Sequence, residues 1–432
     1  MSSELLVVHD GHSIAGTFRE DVRGKRTFAY EDPWRQAHDS IALSLSLPMA
    51  RREHVTDAVD CWLWGLLPDN ELVLERWSRA FQVSAGNPFR LLSHVGEDCS
   101  GAFQLVTPAN LSRVVSAPGR IDWLSEADVA ARLAAVRADP SRTRMASDTG
   151  QFSLAGAQPK IALHRDGDRW GVPSGRVPTT HILKPPTGAF DGLAENEHFC
   201  LRLAAELGLP VAFSEVRRFG DEPCIVVERF DRLAAPSVGR ASRVVARLHQ
   251  EDLCQALGIH PARKYQNDGG PTPLAIVEVI RGASTRAQDD VLTFVDALVL
   301  SWLTGGTDAH AKNYALLLGR HGQARLAPLY DLASVLPYPQ IDVRRAKLAM
   351  SIGGEYRLHA ISARHFRKLA VALRLDAEAV VERVRSLVRR TPDAVADVEA
   401  ALRRTGIGHP IVDELASRLI ARAATCAAAL GR

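Results

Sequence analysis

An α+β fold divided into more than one domain is predicted by three observations. The 432 residues exceed one typical domain and suit two or three. Residues 1 to about 105 alternate short β-like runs with turns, and 149 to 232 hold further strands around one helix. From about 248 onward the pattern is mostly helical. The expected division is a small α+β domain over 1–105, a helical connector over 106–148, a strand-rich lobe over 149–235 and a helical lobe over 236–432.

The first domain opens on Leu5-Leu6-Val7-Val8, then His9-Asp10-Gly11, then Ile14-Ala15-Gly16-Thr17-Phe18, which reads as a hairpin. Ile41 to Leu47 alternates with period two and stops at Pro48, the pattern of a strand. Val59 to Leu67, with Trp62 and Trp64, reads as a helix ending before Pro68. Residues 108–147 are rich in Ala and Arg, and Ser125 is placed to cap a helix near Glu126–Ala138. Asp289 to Thr304 is a strongly apolar helix running into Gly305-Gly306, and the tail from about 358 is helical and Arg-rich. There is no internal repeat and no low-complexity segment.

Composition narrows the function classes. Hydrophobic residues make up 46% and charged residues 24%, the balance of a soluble globular protein. A net charge of +3 is too small to predict nucleic-acid binding by itself. The six cysteines are scattered without a C-x-x-C pair, so reduced cytosolic thiols are expected rather than a zinc site or a disulfide framework. The N-terminus lacks a basic stretch followed by an apolar one, and no 18-residue apolar run occurs. A cytoplasmic protein that does not span a membrane is expected. Arginines outnumber lysines 46 to 7. A lysine kept against that bias is a candidate for work that needs a compact ammonium. Lys160, Lys184 and Lys312 fall in the segments that carry chemistry.

Those segments centre on Thr307-Asp308-Ala309-His310-Ala311-Lys312-Asn313, followed by Tyr330-Asp331. An Asp and an Asn lie five residues apart, and a second Asp comes 18 further on. Protein kinases use that order: an Asp accepts the proton of the attacking hydroxyl, and an Asn and a second Asp hold Mg²⁺. Tyr314 to Leu318 reads as a strand, Gly319 to Gly322 as a turn and Arg325 to Leu329 as the return. The two ends of that hairpin would bring Asn313 and Asp331 together. Either element alone is better read as a helix end or an Asp-capped turn; the ordered set favours the kinase reading.

Ser153-Leu-Ala-Gly-Ala-Gln-Pro-Lys160 has the small residues that let backbone N–H groups approach phosphate. It is not a Walker A motif, and alone it is an ordinary turn as often as not. Lys184 ends the short apolar run Thr180-His-Ile-Leu-Lys184, as does the kinase lysine that holds phosphates. Glu195-Asn-Glu197 opens a helix expected over His198 to Leu207. Glu197 is the preferred ion-pair partner for Lys184, the alternative being a carboxylate that serves only the helix dipole. Ile225 to Arg232 is an apolar strand ending in a charged turn, where backbone groups could meet adenine and Phe230 could cover an apolar face.

These runs, in this order, resemble the HipA-type serine/threonine kinase toxins. The resemblance also takes in Gln250-Glu-Asp-Leu-Cys-Gln255, Lys264-Tyr-Gln-Asn-Asp-Gly-Gly-Pro271, Met350-Ser-Ile-Gly-Gly354, and, in the first domain, Leu43-Ser-Leu-Ser-Leu-Pro48 and Gly96-Glu-Asp-Cys-Ser-Gly-Ala102. It implies a two-lobed, protein-kinase-like fold with an additional N-terminal domain, ATP and Mg²⁺ as cofactors, and Asp308 as catalytic base. Asn313 and Asp331 match the metal-holding pair. Residues matching ATP contacts are Ala155, Gly156, Ala157, Gln158, Pro159, Lys160, Lys184, Glu228, Arg229, Phe230, His310, Lys312, Asn313, Tyr330 and Asp331. Ser153 matches a serine that is autophosphorylated, after which the loop leaves the site and activity falls. The implied target is an aminoacyl-tRNA synthetase, whose phosphorylation slows translation and induces dormancy. The implied partner is a small helix-turn-helix antitoxin, with operator DNA reached mainly through it. Two other readings stay open on the residues alone: a small-molecule kinase built from the same parts, and a corepressor subunit with secondary activity.

Overall fold

The computed structural model describes residues 3–145, 152–186, 188, 190–234 and 245–431. Two compact units interleave along the chain. The first comprises Met1–Pro185, Arg217–Ala262 and Ala315–Ala324; the second comprises Pro186–Val216, Arg263–Tyr314 and Arg325–Arg432.

In the first unit, β1 (Ser3–His9), β2 (Ser13–Glu20), β3 (Arg26–Tyr30), β4 (Glu53–His54) and β5 (Phe103–Val106) form an antiparallel sheet in the order β4-β3-β2-β1-β5. The expected N-terminal hairpin is β1–β2, turning through Asp10 and Gly11, both at positive φ. Helices Asp57–Gly65, Glu71–Phe81 and Pro88–Val95 join its core, where Trp62, Trp77 and Phe89 cluster with Phe18 and Phe28. That aromatic and aliphatic burial is the main stabilising term of the domain.

The strand expected over Ile41–Leu47 does not form. Ser44 and Leu47 make only an isolated bridge. The segment wraps instead around the buried Tyr30 hydroxyl, which accepts from the Leu43 N–H at 2.8 Å and donates to the Leu47 carbonyl at 2.6 Å. Leu43 and Leu47 are buried, as the period-two pattern requires. Ser44 donates to the Glu251 carboxylate at 2.5 Å, and Ser46 to the Gln255 carbonyl at 2.8 Å. These side-chain bonds replace the ladder a strand would need.

A second sheet contains β6 (Arg120–Leu124), β7 (Ile161–Asp166), β8 (Arg169–Ser174), β9 (His181–Lys184), β10 (Ser214–Phe219) and β11 (Glu222–Glu228), in the order β10-β11-β9-β7-β8-β6. The stretch read as a connector thus supplies an edge strand, β6. It also supplies the helix Glu126–Ala138, capped by a reciprocal Ser125–Asp128 box. Its Val129, Leu133 and Val136 pack with Leu163, Trp170, Leu183 and Val226. Two smaller groups complete the unit: β12 (Arg232–Ala234) with β13 (Val245–Arg247), and β14 (His249–Asp252), β15 (Ala315–Leu318) and β16 (Ala324–Leu326) in that order.

The second unit is mainly helical, with helices Leu193–Glu206, Pro273–Ala283, Ala287–Thr304, Ala363–Ala372, Ala377–Arg404 and Ile411–Leu430 and the ribbon β17 (Lys347–Ile352)–β18 (Glu355–Arg357). Every residue from Phe294 to Thr304 is buried, as an all-round apolar helix demands. Its one internal charge in that stretch, Asp296, meets Arg383 in a two-pronged pair at 2.5 Å. The helix expected from His198 begins earlier, at Leu193, so Glu195, Asn196 and Glu197 lie inside it and are buried. Among the described residues no helix is long and apolar enough to cross a membrane.

Candidate active site

The candidate phosphate loop belongs to the first unit and is held through its backbone. The Ser153 N–H donates to the Asp98 carbonyl at 3.1 Å, beside a parallel bridge between Asp98 and Phe152. The Asp69 N–H donates to the Gly156 carbonyl at 3.2 Å, beside a second bridge at Pro68. Ser153 is fully buried, and its hydroxyl donates to the Leu66 carbonyl at 2.7 Å. Gly156 sits at φ +107°, where a side chain would be strained and a Cβ would lie 2.5 Å from Lys160 Nζ. The Lys160 ammonium donates back to the Ala155 carbonyl at 2.8 Å, closing a small ring over residues 155–160. Ala157 is exposed on that ring; Gln158 and Pro159 are half-buried.

Lys184 ends β9 and is buried, opposite Ile225 of β11. Glu228 ends β11, exposed, opposite His181. Arg229 is tied into the fold by both its backbone and its side chain. Its N–H donates to the Thr180 carbonyl at 2.9 Å, and its carbonyl accepts from the Arg232 N–H at 3.2 Å. Its buried guanidinium grips Asp231 at 3.0 and 2.8 Å, and also donates to Thr179 and the Cys99 carbonyl. The guanidinium of Arg229 is therefore committed to the fold.

The candidate catalytic loop belongs to the second unit. Gly305 ends the apolar helix at φ +67°, and the Gly306 N–H closes on the Ser301 carbonyl at 2.8 Å. The chain then turns out to Asp308, whose side chain is 68% exposed. Its Oδ1 accepts from the Tyr265 hydroxyl at 2.5 Å, and its carbonyl accepts from Asn313 Nδ2 at 2.8 Å. With its nitrogen spent on the loop, the Asn313 amide presents its oxygen as the remaining ligand atom. His310 is buried edge-on to the Tyr265 ring, with Nε2 3.9 Å from Asp308 Oδ1. Lys312 is buried, and its carbonyl accepts from the Tyr330 hydroxyl at 2.8 Å.

That last bond joins the catalytic loop to the segment bearing Asp331. Two more follow: Ser334 Oγ donates to the Thr304 carbonyl at 2.5 Å, and the Val335 N–H to the Gly305 carbonyl at 3.3 Å. Both satisfy carbonyls that the end of the helix would otherwise leave orphaned. Upstream, Leu329 exchanges backbone bonds with Pro210 and Ala212, both at 2.8 Å. Asp331 itself stands at φ +58°, a left-handed backbone that costs a non-glycine residue about 1–3 kcal/mol and concentrates at working sites. Asp308, Asn313 and Asp331 therefore sit on stitched segments of one unit. One amide oxygen and one carboxylate suit Mg²⁺, which takes its other ligands from phosphate and water. Among the described residues no group of three or more His, Cys, Asp or Glu gathers as a denser metal site.

Two supporting residues had no assigned role in the sequence reading. Tyr265 lies in the Lys264–Pro271 run, but its contact with Asp308 spans 43 residues. Asn196 stands between the two glutamates considered for Lys184. It exchanges bonds with the Ser334 backbone at 2.8 and 2.9 Å, fixing the chain just past Asp331. Glu197 lies in the second unit and Lys184 in the first.

Comparison with known proteins identifies the family. Residues 5–106 match the HipA N-terminal domain, and residues 152–395 match the HipA-like C-terminal domain. The chain is 38% identical over 397 residues to Y4mE of Sinorhizobium fredii, named as a kinase, covering 91% of each. It is 30% identical over 408 residues to the serine/threonine-protein kinase toxin HipA of Shewanella oneidensis, covering 91% of this chain and 89% of that one. The solved structure of Shewanella oneidensis MR-1 HipA with HipB and operator DNA is similar at a TM-score of 0.82 and 26% identity, over 98% of this chain and 97% of that one. Two domain matches and full-length relatives place the chain in the HipA family of serine/threonine-protein kinases.

Proposed function

We propose that this protein is the toxin of a toxin–antitoxin pair, and that it uses ATP and Mg²⁺ to phosphorylate a serine or threonine of another protein. The observation that carries the reading is the stitched set Asp308, Asn313 and Asp331. Asp308, oriented by Tyr265, takes the proton of the attacking hydroxyl. Asn313 Oδ1 and the Asp331 carboxylate would hold Mg²⁺, which when bound neutralises charge on the phosphates. The backbone of Ala155–Lys160 and the Lys184 ammonium take the phosphate charge, Glu228 and Phe230 face adenine, and His310, Lys312 and Tyr330 brace the catalytic loop.

Ser153 is the proposed site of inactivating autophosphorylation. Its hydroxyl is buried against Leu66, so transfer to it requires the loop to be released first. The phosphate then adds about −1.5 to −2 charge, which that buried place cannot take back. The target class proposed is an aminoacyl-tRNA synthetase, whose modification slows translation and induces persistence. The partner is a small helix-turn-helix antitoxin that carries the complex to operator DNA, and the setting is the cytoplasm. Support comes from the Shewanella oneidensis relative, named as a toxin, and from the similar structure solved with HipB and operator DNA.

Incubated with labelled ATP and Mg²⁺, the protein should label at Ser153, and Asp308→Ala should abolish the label. Labelling that survives in Asp308→Ala removes Asp308 from its role. Expression without the antitoxin should arrest growth, and Asp331→Ala should relieve the arrest.

A further inference from the structure

The run Gly96–Ala102 takes no part in the chemistry above, yet a buried ionic network is built on it. Asp98 Oδ1 accepts from Arg232 Nη2 at 2.9 Å and from Arg247 Nη2 at 3.2 Å. Asp98 Oδ2 accepts from the Thr179 N–H at 2.9 Å and hydroxyl at 2.6 Å, with Arg229 Nη1 3.6 Å away. Asp231 shares the load, paired with Arg229 at 2.8 Å and Arg232 at 2.9 Å, and it takes the Gly101 N–H at 2.7 Å. All six side chains are buried. Burial alone would raise the Asp98 carboxyl. Arg232, Arg247 and Arg229, with the Thr179 hydroxyl, instead hold it well below the usual carboxylate range.

Each contact of Asp98 reaches the root of a different segment. Its carbonyl holds the Ser153 N–H at the start of the phosphate loop. Thr179 leads directly into β9, which ends at Lys184. Arg229 and Arg232 bracket the turn that follows Glu228. A charged brace suits this task, because removing one partner of a buried pair leaves the others uncompensated and forces them to move.

We propose that Asp98 is a positioning residue for the nucleotide: through Ser153, Thr179 and Arg232 it holds the phosphate loop, the lysine strand and the adenine-side strand in register. The nucleotide half rests on the function proposed above; the holding of the loop does not. Asp98→Asn keeps the shape, removes the charge and turns an N–H donor toward a guanidinium. Thr179→Val is milder, deleting the hydroxyl that links Asp98 to Arg229.

The test reads ATP binding in the presence of Mg²⁺ by calorimetry, and amide hydrogen exchange at Ser153 in the absence of nucleotide. Asp98→Asn should weaken ATP about tenfold and Thr179→Val about threefold. Both should speed Ser153 exchange in the same order, and KM for ATP should rise more than kcat falls. An Asp98→Asn protein that melts cooperatively, binds ATP like the parent and keeps its Ser153 protection overturns the proposal. Should that variant fail to fold, Thr179→Val decides by the same two readings. A parent that does not bind ATP overturns the nucleotide half, and Ser153 exchange in the variants then decides whether Asp98 holds the loop.

Discussion

The serine loop and the catalytic loop are held by opposite means. Ser153 is fully buried, with its N–H and its hydroxyl both spent on neighbouring carbonyls. The Asp308 side chain is 68% exposed and is steered by one tyrosine hydroxyl. A carboxylate proposed to meet an incoming hydroxyl has to face solvent. A loop proposed to stay shut until it is modified has to be anchored in the interior. Changes around the serine loop should therefore move stability, and changes around the catalytic loop should move rate.

The sharpest break of that contrast is Asp308→Ala. Phosphoryl transfer should fall about 10²–10⁴-fold, while the thermal midpoint stays near the parent's. A collapsed melt would mean the exposed loop is also a structural one. Next comes Arg232→Ala, which removes the cation that Asp98 and Asp231 share and should cost about 3–5 kcal/mol in urea unfolding. A loss well under 1 kcal/mol would show that the anchoring is not ionic.

Glu251 extends the comparison to pH. Burial pushes its carboxyl up to about 8 despite bonds from the Leu45 N–H and Ser44, and Asp252 adds a like charge. The folded state thus keeps a proton that the unfolded chain releases near the ordinary glutamate value of 4.5. Stability should fall as pH rises from 4.5 toward 8, by at most about 1.4 kcal/mol per pH unit from this group. Glu251→Gln should flatten that decline, and an unchanged urea-versus-pH curve would deny the buried proton. Tyr265→Phe should lower kcat about three- to tenfold at unchanged stability, since it deletes one bond to an exposed charge. Smallest is Ser153→Ala, which leaves the Leu66 carbonyl without its donor, at about 1 kcal/mol in the urea midpoint. That variant should also take no label, and a second labelled serine would relocate the switch.

What the sequence made legible was local. The β1–β2 hairpin, the Ser125 cap, and the apolar helix closing at Gly305 each depend on residues within a few positions of one another. The candidate set was legible because Asp308, Asn313 and Asp331 keep an order of side chains that protein kinases use. Long-range bonds were not legible. Ile41–Leu47 has a strand's alternation, but the Tyr30 hydroxyl claims its backbone from 13 and 17 residues away. Arg229 directly follows the strand Glu222–Glu228, but its guanidinium reaches the Cys99 carbonyl, 130 residues distant. In both cases a single buried polar group outweighed the local pattern, because leaving it unsatisfied would cost more than the pattern supplies.

The interleaving of the two units sets an order of synthesis. β14 pairs with β15, whose residues follow some sixty positions later, and the first unit is complete only at Ala324. A ribosome must therefore have made 324 of the 432 residues before that unit can close, and 331 before the second carboxylate of the proposed metal pair exists. Chains cut short by premature stops or stalled ribosomes carry the serine loop and the lysine but no finished site. An enzyme proposed to act against protein synthesis thus depends on synthesis running nearly to its end before it can act.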